Sequence, residues 1–124
     1  MSLHPNTRIQ SFRYAFRGIG AMLQTESNAR IHAIATIAVI AVGFMIGISR
    51  IEWLAITLSI TAVWCAEGFN TAIEFVCDVV SPDYHPKVEQ AKDIAAGTVL
   101  IAAIGAGVVG VLVFGRHLLA LIAS

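Results

Sequence analysis

The chain is short of charge, has no phosphate-binding loop and has no cysteine pair placed to bond. Charged residues make up 13% of it, against about 25% in an ordinary soluble domain. Hydrophobic residues reach 57%. A chain of 124 residues cannot hide that excess in a soluble core, because small domains leave much of their surface in water. The shortage of charge therefore places the chain in a membrane. Its net charge is zero and no basic block occurs, so nucleic acid is not an expected partner. Cys65 and Cys77 fall on one predicted helix, about 18 Å apart along its axis. That is too far for a disulfide, and both are expected as small buried apolar residues. Neither G-x-x-x-x-G-K-[ST], H-E-x-x-H nor a paired C-x-x-C is present.

One match is misleading. Gly105–Gly110 reads G-A-G-V-V-G, but the dinucleotide fingerprint works only between a strand and a helix. Here it lies inside an apolar run with no strand before it. Thr98, Ala102, Ala106 and Gly110 instead form a repeat of small residues, the pattern that lets membrane helices approach closely.

What is present is a set of long apolar runs. Thr7–Gln24 carries Ile9, Phe12, Phe16, Ile19 and Leu23 at helical spacing, with Arg8, Arg13 and Arg17 off that stripe. This pattern predicts an amphipathic surface helix over about 7–27. Spans are expected over about 30–48, 52–79 and 88–122, within one membrane domain. Ser49–Glu52 reads as a hairpin, with Trp53 opening the second span. Ser81-Pro82 ends that span, and Pro86 opens the next helix. The fold class is thus all-α: three transmembrane helices and an N-terminal surface helix. Met1–Arg30 carries four arginines and no long apolar run, and is not expected to be a cleaved signal. Lys and Arg number six in the N-terminal segment and second loop, and two in the first loop and C-terminus. That bias orients the N-terminus and the Ser81–Pro86 loop to the cytoplasm.

The polar residues concentrate in Glu67–Asp78, E-G-F-N-T-A-I-E-F-V-C-D. Glu67, Asn70, Glu74 and Asp78 share one helix stripe by their spacing. Three aligned carboxylates and an amide at the end of a membrane helix are costly without partners. The plain alternative is a helix end wetted by headgroups; the alignment favours an active site. Glu67 is expected at the deep end, level with a lipid head group, and Asp78 in water. Carboxylates with an amide suit Mg²⁺, which takes oxygen ligands and shares them with phosphates. Glu26, at the end of the surface helix, lies at a similar depth, and Lys92 and Asp93 follow the loop. His32 reads as an interfacial histidine with a water partner, and Trp64 as helix packing. A proton-relay or transporter subunit would spread carboxylates through the membrane depth; Ile31–Ile48 and Ile94–Phe114 have none. A purely structural membrane protein leaves the aligned stripe unexplained.

The motifs E-x-x-N-T-A-I-E-x-x-x-D, Y-H-P and A-K-D-I-A-A-G-x-V-L, preceded by S-F-R-Y-A-F-R-G-I and T-E-S-N-A-R-I-H, resemble the small prokaryotic diacylglycerol kinase family, which includes undecaprenol kinases. The resemblance runs from about Ser11 to Ala103. It implies an ATP- and Mg²⁺-dependent lipid kinase, a homotrimer in the prokaryotic inner membrane, acting on undecaprenol or diacylglycerol, with the undecaprenol type favoured. Carried over by position, Glu67 is the general base, and Glu26 and Glu74 hold Mg²⁺. Tyr14, Asn70, Asp83, Tyr84, His85, Lys92 and Asp93 line the nucleotide site. Arg8 aligns with the family's N-terminal basic residue only after a one-residue shift and is not carried over.

Overall fold

A computed structural model describes residues 7–124; residues 1–6, the start of the polar N-terminal stretch, lie outside it. Four helices follow in order: α1 Thr7–Thr25, α2 Ser27–Ile46, α3 Arg50–Val80 and α4 Pro86–Ala123. No strand occurs among the described residues. The last three are long and apolar enough to cross a membrane. At about 1.5 Å per residue, α2 is about 30 Å long, α3 about 46 Å and α4 about 57 Å. The shortest matches the hydrocarbon thickness, and the other two exceed it.

Local chemistry sets each boundary. Glu26 takes an extended conformation between α1 and α2, and its side chain makes no capping bond. The Arg30 guanidinium staples that corner by donating to the carbonyls of Leu23 and Gln24, at 3.3 and 3.1 Å. α2 stops at Gly47, which is left-handed at φ 75°, a conformation that only glycine adopts cheaply. The expected hairpin at Ser49–Glu52 is instead the first turn of α3. Ser49 caps it: its Oγ accepts from the Glu52 N–H, and the Glu52 carboxylate accepts from the Ser49 N–H. This capping box satisfies two otherwise orphaned donors. α4 opens with Pro86, where a missing N–H costs nothing. His85 caps it, Nδ1 accepting from the Lys87 N–H at 3.1 Å.

Packing is dominated by α3 against α4, with α2 resting on α3 and α1 on both α2 and α3. A small apolar core of Ile48, Ile56 and Val113 sits at the hairpin end, supported by Trp53, Ile60, Val109 and Phe114. Trp53 tilts against Phe44, ring centroids 4.8 Å apart, over the bare surface of Gly43. At the same end Glu52 is buried. His117 Nε2 lies 3.1 Å from both of its carboxylate oxygens, tying the end of α4 to the start of α3. This link between residues 65 apart went unread in the sequence. α2 and α4 hardly approach each other, and an apolar groove runs between them. Its two segments, of about 300 and about 540 Å³, share Gly107 and Gly110.

Most large apolar side chains point outward, toward lipid. Cys77 is buried as expected, but Cys65 is exposed, because on a lipid-facing helix a small apolar residue has no reason to turn inward.

Two outcomes test this packing. A Cβ on Gly43 would sit 2.7 Å from the Trp53 ring. Gly43→Ala is therefore expected to destabilise the protein by about 1–3 kcal/mol, read as a lowered thermal midpoint in mild detergent. His117→Ala leaves the buried Glu52 carboxylate with only its capping bond. It is expected to lower the midpoint too, while kinetic constants measured on the folded fraction stay at the parent values.

Candidate active site

The polar stripe on α3 grades from dry to wet along one helix face. Glu67 is wholly buried, at 0% exposure, and Asn70 nearly so at 7%. Glu74 is half-buried, and the Asp78 side chain is 65% exposed. One chain achieves this burial alone, so the need to shield Glu67 and Asn70 is not in itself an argument for an oligomer.

Glu67 is the chemically unusual group. Both of its carboxylate oxygens, and Oδ1 of Asn70, are buried without a hydrogen-bond partner. Neighbouring Thr71 does not help, because its hydroxyl donates to the Glu67 carbonyl, at 3.0 Å. The nearest cationic candidate is His32, Nε2 lying 3.6 Å from Oε2. His32 therefore faces the stripe rather than headgroups and water, a correction to the reading from sequence. One turn along α2, Thr36 donates to the His32 carbonyl at 2.7 Å and accepts from the Trp64 indole at 3.0 Å. Trp64 thus locks α2 onto α3 beside the pair. Orphaned buried acceptors one helical turn apart call for an explanation, and a ligand that completes their bonding is one.

Two helical turns nearer the loop, Glu26 at the α1–α2 corner comes within electrostatic reach of the Glu74 carboxylate. The uncapped Glu26 side chain is free to make this approach. Two facing carboxylates repel unless a proton or a cation lies between them. Among the described residues no three His, Cys, Asp or Glu side chains form a metal-holding group. A hard divalent cation, however, needs only one or two protein carboxylates when phosphates and water supply the rest. The pair fits that use. At the wet end Lys92 Nζ lies 2.8 Å from Asp78 Oδ1. Such an exposed pair adds little to stability, and the same ammonium can exchange Asp78 for a phosphate.

The remaining candidates stand apart from the stripe. Tyr14 is exposed on α1, with the Arg17 guanidinium 5.5 Å above its ring. Asp83 and Tyr84 are exposed in the loop, His85 caps α4, and Asp93 is exposed on its second turn. No hydrogen bond or ion pair joins these five to the stripe among the described residues. His32 beside Glu67 and, at the far end of the bundle, His117 beside Glu52 are the two partners of buried carboxylates missed in the sequence. Each pairs across helices, where periodicity carries no signal.

The prokaryotic diacylglycerol kinase family model matches residues 13–114, which hold the whole stripe. An undecaprenol kinase of Bacillus subtilis is 40% identical over 109 residues, 88% of this chain and 89% of that one. A diacylglycerol kinase of Synechocystis is 40% identical over 107 residues, 86% of this chain but 61% of that longer protein. The diacylglycerol kinase of Escherichia coli K12 is 27% identical over 109 residues. A match covering most of the chain and every residue of the graded stripe makes this protein a member of the prokaryotic diacylglycerol kinase family.

Proposed function

We propose that the protein is a lipid kinase that transfers the γ-phosphate of ATP to a membrane alcohol, with undecaprenol preferred to diacylglycerol. The observation that carries the reading is the separation of two acidic centres on one helix face. Glu67 is dry and unpartnered, while Glu74 and Glu26 face each other at the wetter end. A lipid hydroxyl lies at headgroup depth and nucleotide phosphates arrive from water, so each centre matches one substrate.

In this reaction Glu67 accepts the proton of the lipid hydroxyl as its oxygen bonds to the γ-phosphorus. The bond from that phosphorus to the β,γ-bridging oxygen breaks, and ADP leaves. Phosphoryl transfer asks for positioning and charge neutralisation more than covalent help. Glu26 and Glu74 would hold Mg²⁺, which supplies neutralisation of the phosphate charge when bound. Lys92 would release Asp78 to contact the phosphates, and Asn70 would present its free Oδ1 to the bound substrates. By the family resemblance, Tyr14 on α1, Asp83, Tyr84 and His85 in the loop and Asp93 on α4 would complete the nucleotide site. The relative named as an undecaprenol kinase, similar along nearly its full length, supports that acceptor; the equally identical diacylglycerol kinase supports the alternative.

The reading also includes a homotrimer in a prokaryotic inner membrane with a cytoplasmic N-terminus. The bias of Lys and Arg supports the orientation, and the family resemblance supports the trimer. Mass measurement of the protein in mild detergent tests the assembly.

Three outcomes are expected. Glu67→Gln should lower kcat between about 10² and about 10⁴-fold, with KM for ATP and the Mg²⁺ requirement nearly unchanged. Glu74→Gln and Glu26→Gln should weaken Mg²⁺-dependent nucleotide binding as well as turnover, with partial recovery at raised Mg²⁺. If nucleotide binding is lost in Glu67→Gln and kept in Glu74→Gln, the two roles are reversed. Labelled phosphate should pass from ATP to undecaprenol faster than to diacylglycerol when the purified protein is given both in parallel; the opposite ranking makes it a diacylglycerol kinase.

A further inference from the structure

We infer that His32 is a positioning residue for Glu67, holding one carboxylate oxygen so that the other meets the lipid hydroxyl. The inference rests on the reading of Glu67 as the base. It comes from four observations on the geometry around α2. His32 Nε2 is 3.6 Å from Oε2 of Glu67, whose side chain has no exposed surface. That is within ion-pair range and a few tenths of an ångström beyond a hydrogen bond, a gap of the kind that closes when a substrate is bound. Glu67 has no hydrogen-bond partner of its own, so a donor at this distance decides how the carboxylate is turned.

The other face of His32 is equally informative. It lines the head of the groove between α2 and α4, where its neighbours Ala35, Val39, Ala103 and Ala106 are apolar. The imidazole therefore stands between the buried carboxylate and an apolar channel of lipid-facing depth. Among the described residues that line this segment no other charged side chain occurs. α3 presents Glu67, the α4 side of this segment of the groove presents only alanines and glycines, and Arg30 on its own helix is turned to the carbonyls of Leu23 and Gln24. Its place is also fixed. The Trp64 indole holds Thr36, and Thr36 holds the His32 carbonyl, so α2 cannot slide along α3 without breaking that chain. An imidazole N–H on Oε2 leaves Oε1 as the acceptor for the hydroxyl proton. Without it the carboxylate is free to rotate, and misplacement of a reacting group is costly in rate.

The experiment compares full-length wild type, His32→Ala, His32→Gln and Glu67→Gln in mild detergent. His32→Ala is expected to lose between about tenfold and about a hundredfold in kcat, with KM for ATP within about twofold of the parent. His32→Gln, which keeps a side-chain N–H at similar reach, should recover most of the loss. In parallel, the imidazole ¹⁵N resonances of His32 should move in Glu67→Gln and stay in place in Glu74→Gln. Full kcat in folded His32→Ala, failure of His32→Gln to recover activity, or a His32 resonance blind to Glu67 each overturns the inference. The resonance test needs no turnover and no alanine variant. It reports on the pair even if Glu67→Gln keeps its kcat, the result that would sink the base assignment itself.

Discussion

A carboxylate with no exposed surface and no hydrogen-bond partner is costly to hold in a medium of low dielectric. Glu67 imposes that cost on the middle of α3, and much of the surrounding structure is arranged to bear it. α2 is drawn over the carboxylate by the bond from Trp64 to Thr36, and that placement brings His32 within 3.6 Å. The corner stapled by Arg30 turns α1 back, so that Glu26 reaches Glu74. Removing either brace would leave the acidic face open to lipid, where its charge has no partner at all.

The gradient along that face gives a single helix two solvents. The turn containing Glu67 and Asn70 is dry, so electrostatic interactions there are strong. Two turns on, Glu74 is wet enough to exchange ions, and Asp78 behaves as a surface residue. A kinase that joins a membrane alcohol to a soluble nucleotide needs both conditions close together, and here they lie about 10 Å apart. Here rise per residue supplies the spacing, and no loop has to be trained into shape.

Much of this was legible in the sequence, for identifiable reasons. The Glu67–Asp78 stripe follows from spacing on one helix, and Pro86 and Ser81-Pro82 mark boundaries by steric rules that hold in any surroundings. The small residues of α4 announced close approach, but Ala106 and Gly110 line an open groove instead, and a Cβ built on Gly110 meets nothing within 4 Å. What escaped were pairings across helices. Glu52 looked like a hairpin residue because its capping bonds to Ser49 are local and its contact with His117 is not. His32 looked interfacial because its partner lies on another helix, and a composition rule for membrane edges has no term for that. Cys65 failed for a different reason: burial rules learned in water do not apply where the solvent is itself apolar.

The seam between α2 and α3 carries the chain's two tryptophans, one at each end. Trp53 leans on Phe44 over Gly43, and Trp64 is hydrogen-bonded to Thr36, about 16 Å farther along α3. One indole thus sits against an aromatic ring and the other donates to a hydroxyl, so their emission differs in origin. Each can be deleted singly, giving the molecule a separate optical reporter at each end. Opening of the helix pair beside Glu67 can then be timed independently of loosening at the hairpin, with no label added.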